Sequence, residues 1–126
     1  MKRTATIAVT AVVALVPATG EAAKAESTKR CPQDAFCVWS KPGYQGKKVV
    51  LTKNGVSNKI ANQMNNRVSS TKNKFDLTVF IYDKRGAKGE IRCFSSNSKE
   101  ADLGGSYNFD NRAASSLIPK DPEPCF

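Results

Sequence analysis

Beyond residue 35, apolar positions come in short runs separated by clusters of Gly, Pro, Asn and Ser, the texture of strands and turns. Residues 36–39 open the pattern with aromatic and β-branched side chains. Lys41-Pro42-Gly43 closes it as a turn, since proline presets φ and glycine accepts a positive one. Residues 48–52 form a second strand, ended by Asn54-Gly55, a dipeptide suited to a type I′ hairpin. A weaker segment at 59–61 and a strand at 68–71 complete the first half. The strongest segment is 77–83, where Leu77, Val79 and Ile81 alternate with Thr78, Phe80 and Tyr82 and both sets are apolar enough for burial on two sides. Strands at 90–94 and 114–118 follow, with a weak segment around Leu103 between them. A helical period is nowhere sustained; one turn near 60–64 is the most the pattern supports. Short strands at roughly ten-residue spacing predict an all-β sandwich.

The two halves echo each other. Trp39, Gly43 and Gly46 precede the apolar run Val49-Val50-Leu51; Tyr82, Gly86 and Gly89 precede Ile91 to Phe94 in matching order. Such self-similarity implies one structural unit built twice, each copy covering the other's apolar face. Gly46 and Gly89 are the positions expected to tolerate a β-branched residue least, because a hairpin folding back on itself needs positive φ there.

Composition adds a compartment and a charge. Lys2 and Arg3 give a basic start, residues 5–16 form an apolar run too short to span a bilayer, and Ala23-Lys24-Ala25 fits an A-x-A cleavage pattern. This predicts a signal peptide at 1–25 and a secreted, extracellular, monomeric protein with no membrane span after its removal. The remainder divides into an N-terminal segment at 26–35, a domain at 36–118 (motif one 36–72, motif two 77–118) and a tail at 119–126. Residues 26–126 carry seventeen Lys and Arg against ten Asp and Glu. That surplus suits contact with anionic walls, acidic proteins or phospholipid without selecting one, and the scattered lysines equally suit a solvated face. Cys31, Cys37, Cys93 and Cys125 predict two disulfides, with three pairings open. Cys31–Cys37, a tight N-terminal loop, and Cys93–Cys125, which ties the proline-rich tail, are favoured, for chain-entropy gains of roughly 2.4 and 3.7 kcal/mol. The absence of histidine and of any CxxC spacing argues against zinc.

The spacing of Trp39, Tyr44 and Gly46, an aromatic, then Tyr or Phe, then Gly, resembles the Greek-key signature of βγ-crystallin-like domains; Tyr82 and Gly89 repeat it, with Ala87 where an aromatic is usual. With Cys31-Pro32, Phe36-Cys37 and the elements at 65–70 and 110–116, the chain from 31 to 118 is similar to secreted actinobacterial proteins grouped with the Streptomyces metalloproteinase inhibitor. The resemblance implies a disulfide-braced βγ-crystallin-like sandwich of two Greek keys. It also implies a peptidase inhibitor, with a secreted peptidase as partner. In that family the second disulfide frames a small reactive loop, a feature that the wide separation of Cys93 and Cys125 does not reproduce.

Calcium-binding members of the fold use Asn/Asp, Asn/Asp, two variable residues, Ser/Thr and Ser, donors that suit a hard cation wanting six to eight oxygens. Asn65, Asn66, Ser69 and Ser70 match every fixed position. In the second copy, matching Ser115 and Ser116 puts Arg112 where Asn or Asp belongs, whereas matching Asp110 and Asn111 puts Ala114 at the first serine. The readings left open are one degraded calcium site, or none, with these side chains holding turn backbone instead. No other cofactor is implied. Without histidine there is no Ser-His or Cys-His pair, and Asp76, Asp83, Glu90, Glu100, Asp102 and Asp110 stand in no catalytic spacing; the chain is expected not to be an enzyme. Inhibition needs only a rigid, substrate-like loop, for which 53–58 and 95–105 are candidates. A cell-wall-directed antimicrobial or a calcium-stabilised structural module is the alternative, with Tyr44 and Tyr107 suited to contact an anionic cell-wall polymer. Nucleic acid is not an expected partner, since basic and aromatic residues are not interleaved along one element.

Overall fold

In the computed structural model, residues 28–64 and 66–125 are described; the expected signal segment 1–25, Asn65, Phe126 and the side chain of Ser106 lie outside the described residues. The chain from Cys31 forms a unit distinct from residues 1–30. Its strands are β1 (Phe36–Lys41), β2 (Gln45–Leu51), β3 (Gly55–Ser57), β4 (Ser70–Asn73), β5 (Val79–Lys84), β6 (Lys88–Phe94), β7 (Lys99–Glu100) and β8 (Ser115–Ile118). Two short helices, α1 (Lys59–Met64) and α2 (Leu103–Tyr107), follow β3 and β7.

The strands make two antiparallel four-stranded sheets, ordered β2-β1-β4-β7 and β3-β8-β5-β6. Each motif therefore lends its third strand to the other's sheet, and the duplication read from the sequence is a Greek-key sandwich. Alternation along β1, β2 and β5 sends Phe36, Val38, Val49, Leu51, Val79 and Ile81 inward, where they meet Ile60, Val68, Phe94, Leu103 and Phe109 in one core. The buried Asn73 fixes the link between motifs: its amide donates to the carbonyls of Leu77, Phe94 and Ser95.

The outer faces are covered as well. Over the first sheet, Ala35, Cys37 and Trp39 are fully buried beneath Cys31, Tyr44 and Val50. Over the second, Phe80 is buried, and the Thr78 hydroxyl donates to the Glu123 carbonyl of the tail. The disulfides Cys31–Cys37 and Cys93–Cys125 pin these two terminal segments, one to each sheet.

Three local segments are resolved by the structure. Asn54-Gly55 does not join a hairpin, because β3 leaves the sheet of β2 and pairs with β8, Gly55 opposite Ile118. The Asn54 side chain donates instead to the Pro119 carbonyl. The weaker segment at 59–61 belongs to α1, in place of a strand and in line with the helical turn expected near 60–64, since Ile60 and Met64, four apart, face the core together. The weak segment at Leu103 is α2, capped by the Asp102 carboxylate, which accepts from the amides of Gly104 and Gly105.

Candidate functional site

The folded hairpins between β1 and β2, and between β5 and β6, are built alike. Gly46 and Gly89 both take φ +83°, and a Cβ on either would collide with the side chain at the base of the turn, Ser40 or Asp83. That side chain accepts from the amide after the glycine: Ser40 Oγ from Lys47 N at 2.9 Å, Asp83 Oδ1 from Glu90 N at 2.8 Å. A serine from the last strand of the motif then locks the loop. Ser70 Oγ accepts from Tyr44 N at 3.0 Å and donates to Lys41 O at 2.7 Å, while Ser115 Oγ accepts from Ala87 N and donates to Lys84 O.

These equivalences settle the alignment of the two Asn/Ser elements. Ser70 corresponds to Ser115, and Asn66 to Asn111, both left-handed at φ 59° and 57°. Ser69 corresponds to Ala114; their amides donate to Trp39 O and Tyr82 O respectively. In the sequence, Asp110 thus aligns with Asn65, and Arg112 with Arg67. Ser116 lies one position further on, fully buried, with its Oγ without a partner. A surface pocket of about 430 Å³ joins Asn66 to Asp83 and Ala114, with Lys84 and Arg85 also on its wall. Among the described residues, no three of His, Cys, Asp and Glu cluster as a metal site.

The candidate carboxylates of the second half are engaged structurally. Asp76 accepts from Asn97, and Asp110 from Asn111. In motif two, Arg112 reaches Asp83 at 3.3 Å and Glu90 at 2.9 Å, and Arg92 reaches Glu90 at 3.2 Å. Both guanidinium groups lie over the buried Phe109 ring, at 4.8 and 5.1 Å. Hydrogen bonding from Arg112, with the field of both arginines, holds the Glu90 carboxyl below its ordinary pKa. Arg112 joins this network from 22 and 29 residues away in sequence, so periodicity gave no sign of it.

Tyr44 and Tyr107 are half-buried rather than projecting. Tyr44 packs edge-on against Trp39 at 5.3 Å with Lys72 over its ring; Tyr107 stacks on Phe94 at 5.1 Å. Burial raises the pKa of both phenols.

The two candidate loops differ. The 95–105 segment is folded into β7 and the start of α2 and is held by internal bonds, such as Ser98 Oγ to Ser95 O. In the 53–58 segment, residues 53–56 are exposed, and Val56, at 54 %, is the exposed large hydrophobic among the described residues. Val56 lies on β3, an edge strand paired through Gly55↔Ile118, Val56↔Leu117 and Ser57↔Ser116. No helix among the described residues is long and apolar enough to cross a membrane.

The sequence model of peptidase inhibitor family I36 matches residues 24–94. No curated protein matches the chain. Among solved structures it is similar to a βγ-crystallin domain bearing on the evolution of the eye-lens fold, with a TM-score of 0.62 and 20% identity over 71% of this chain and 89% of that one. It is likewise similar to a βγ-crystallin of Ciona intestinalis, with a TM-score of 0.56 and 22% identity over 67% and 98% of the two chains. A βγ-crystallin domain of Clostridium beijerinckii gives a TM-score of 0.56 and 18% identity over 69% and 99%. The fold is that of a βγ-crystallin domain.

Proposed function

The chain belongs to peptidase inhibitor family I36, and from that premise we propose that it blocks a secreted peptidase by inserting the 53–58 segment into the enzyme's cleft. The observation that carries this choice of segment is Val56, an apolar side chain 54 % exposed on a strand whose backbone is already held extended. A peptidase binds its substrate extended, by backbone pairing with an apolar side chain in a specificity pocket. An edge strand presents that shape without further ordering, so little conformational entropy is lost on docking. The segment is anchored on both sides, by Asn54 to the Pro119 carbonyl and by Ser57 Oγ, which accepts from Lys59 N. A metallopeptidase with an apolar pocket beside its metal is the target class this residue suits.

The protein is titrated against thermolysin-like metallopeptidases and serine peptidases. Inhibition of the former at micromolar concentration is expected, with Val56→Asp raising the inhibition constant about a hundredfold, as loss of a central apolar anchor does. An absence of inhibition across the panel would remove the reading. Inhibition undiminished in Val56→Asp would move the contact to the 95–105 segment.

A further inference from the structure

The positive charge of the domain is concentrated in one half. From residue 35 to 75 the chain carries eight Lys and Arg and no Asp or Glu, whereas residues 77–118 carry six basic and five acidic side chains. The contrast is sharpest at one pair of equivalent places. In motif two, Arg112 is held by the carboxylates of Asp83 and Glu90. In motif one the matching positions are Arg67, Ser40 and Lys47, so a hydroxyl and a second cation stand where the carboxylates would be. Arg67 and Lys47 are exposed, form no ion pair among the described residues, and line a surface groove of about 310 Å³ with Ser40, Gln63 and Met64.

We propose that this groove is a docking site for carboxylates of an acidic partner surface, that of the peptidase the protein inhibits. The partner's identity rests on the inhibitor reading; the existence of the site does not. Every polar group facing the groove can donate. Arg67 offers a guanidinium fork and Lys47 an ammonium. Ser40 Oγ accepts from Lys47 N but keeps its own proton to give, and the Gln63 amide adds an N–H. Two cations lining one groove without a counterion repel each other, and a bound carboxylate relieves that repulsion while engaging the fork in two bonds. Motif two shows which anion an arginine takes at this place: its own Asp83 and Glu90 occupy it. A nucleic acid is disfavoured because Trp39 is fully buried and Tyr44 is packed against it, leaving no free aromatic platform beside the cations.

The test needs no peptidase. Poly-L-glutamate, poly-L-glutamine and inorganic polyphosphate are titrated calorimetrically into the protein at low and high salt, with melting temperatures recorded for every variant. Wild type is expected to bind polyglutamate, less tightly in high salt. The double substitution S40D/K47E, which copies motif two's carboxylates into motif one, and separately Arg67→Ser, should each weaken binding about tenfold. The converse D83S/E90K frees Arg112 and should strengthen it. Equal binding by wild type and S40D/K47E, or polyglutamate bound no better than polyglutamine, would overturn the site. Polyphosphate bound ten times more tightly than polyglutamate would overturn the carboxylate partner in favour of a phosphate-bearing polymer. Val56→Asp should bind polyglutamate like wild type, so loss of inhibition and loss of anion binding are separable failures.

Discussion

In motif one the folded hairpin closes over Trp39, fully buried under Tyr44 and the Cys31–Cys37 bridge, with Lys72 above both rings. In motif two the corresponding Tyr82 is half-buried, Ala87 takes the place of Tyr44, and the hairpin is instead tied by Arg112 to Asp83 and Glu90. One half is locked by aromatic packing and leaves Arg67 and Lys47 without an ion pair among the described residues; the other is locked by ion pairs that neutralise Arg112. Both locks work because the backbone device beneath them is shared: a glycine at φ +83° and a serine bridging the loop. The duplicated frame sets the geometry, and the side chains lock it by different means in the two halves.

The largest expected effect follows from that division. Trp39→Ala removes a fully buried indole from a packed cluster and should cost about 3–5 kcal/mol of unfolding free energy. Tyr82→Ala, at the matching but half-buried position, should cost less than about 2 kcal/mol. Urea denaturation of both variants decides the matter. Equal losses would mean that the two locks are energetically alike and that the contrast lies only in appearance.

How much of this was legible depends on sequence distance. Trp39, Tyr44 and Gly46 lie within one hairpin, so their spacing announced the motif, and Tyr82 with Gly89 announced its copy although Ala87 breaks the pattern. The strand alternation at 77–83 likewise placed β5. By contrast, β3 and β7 are three and two residues long and pair only across motifs, so no local signal marks them. That is also why Asn54-Gly55 reads as a hairpin turn when it is a crossover. The register of the second Asn/Ser element stayed open because Ser115 and Ser116 are adjacent. It took the loop contacts of Ser115 and the positive φ of Asn111 to choose between them. Arg112 with Glu90 is a contact between elements, invisible to periodicity. The missing carboxylates of 35–75 were countable all along, but evenly scattered lysines resemble an ordinary solvated face.

A smaller effect tests whether the two turns differ in cation binding. Ser69 has a hydroxyl where Ala114 has none, and Ala114 shares its pocket with the oxygens of Asn66 and Asp83 but also with Lys84 and Arg85. A hard cation gains from each added oxygen and loses from each nearby positive charge. Ala114→Ser is therefore expected to make the melting temperature calcium-dependent, by about 1 kcal/mol of stabilisation at calcium several times Kd. Wild type should respond less. A wild-type shift as large as the variant's would show that the missing hydroxyl is not what separates the turns.

The subtlest contrast is in acid. Arg112 and Arg92 hold Glu90 in its charged form, so its folded pKa lies below the ordinary value of 4.5. A carboxyl with a depressed pKa contributes stability that is fully present above the unfolded value and is lost as pH falls through the folded one. Glu90→Gln should thus melt below wild type at neutral pH, and the two curves should converge in acid. The carboxylate is exposed and screened by salt, so the gap should be small and should narrow further at high ionic strength. Lys47→Gln, the matching change in motif one, removes a charge with no carboxylate partner and should leave the acid limb of the melting profile parallel to wild type. Convergence in Lys47→Gln as well, or its absence in Glu90→Gln, would mean that the acid sensitivity of the fold does not reside in motif two's ion pairs.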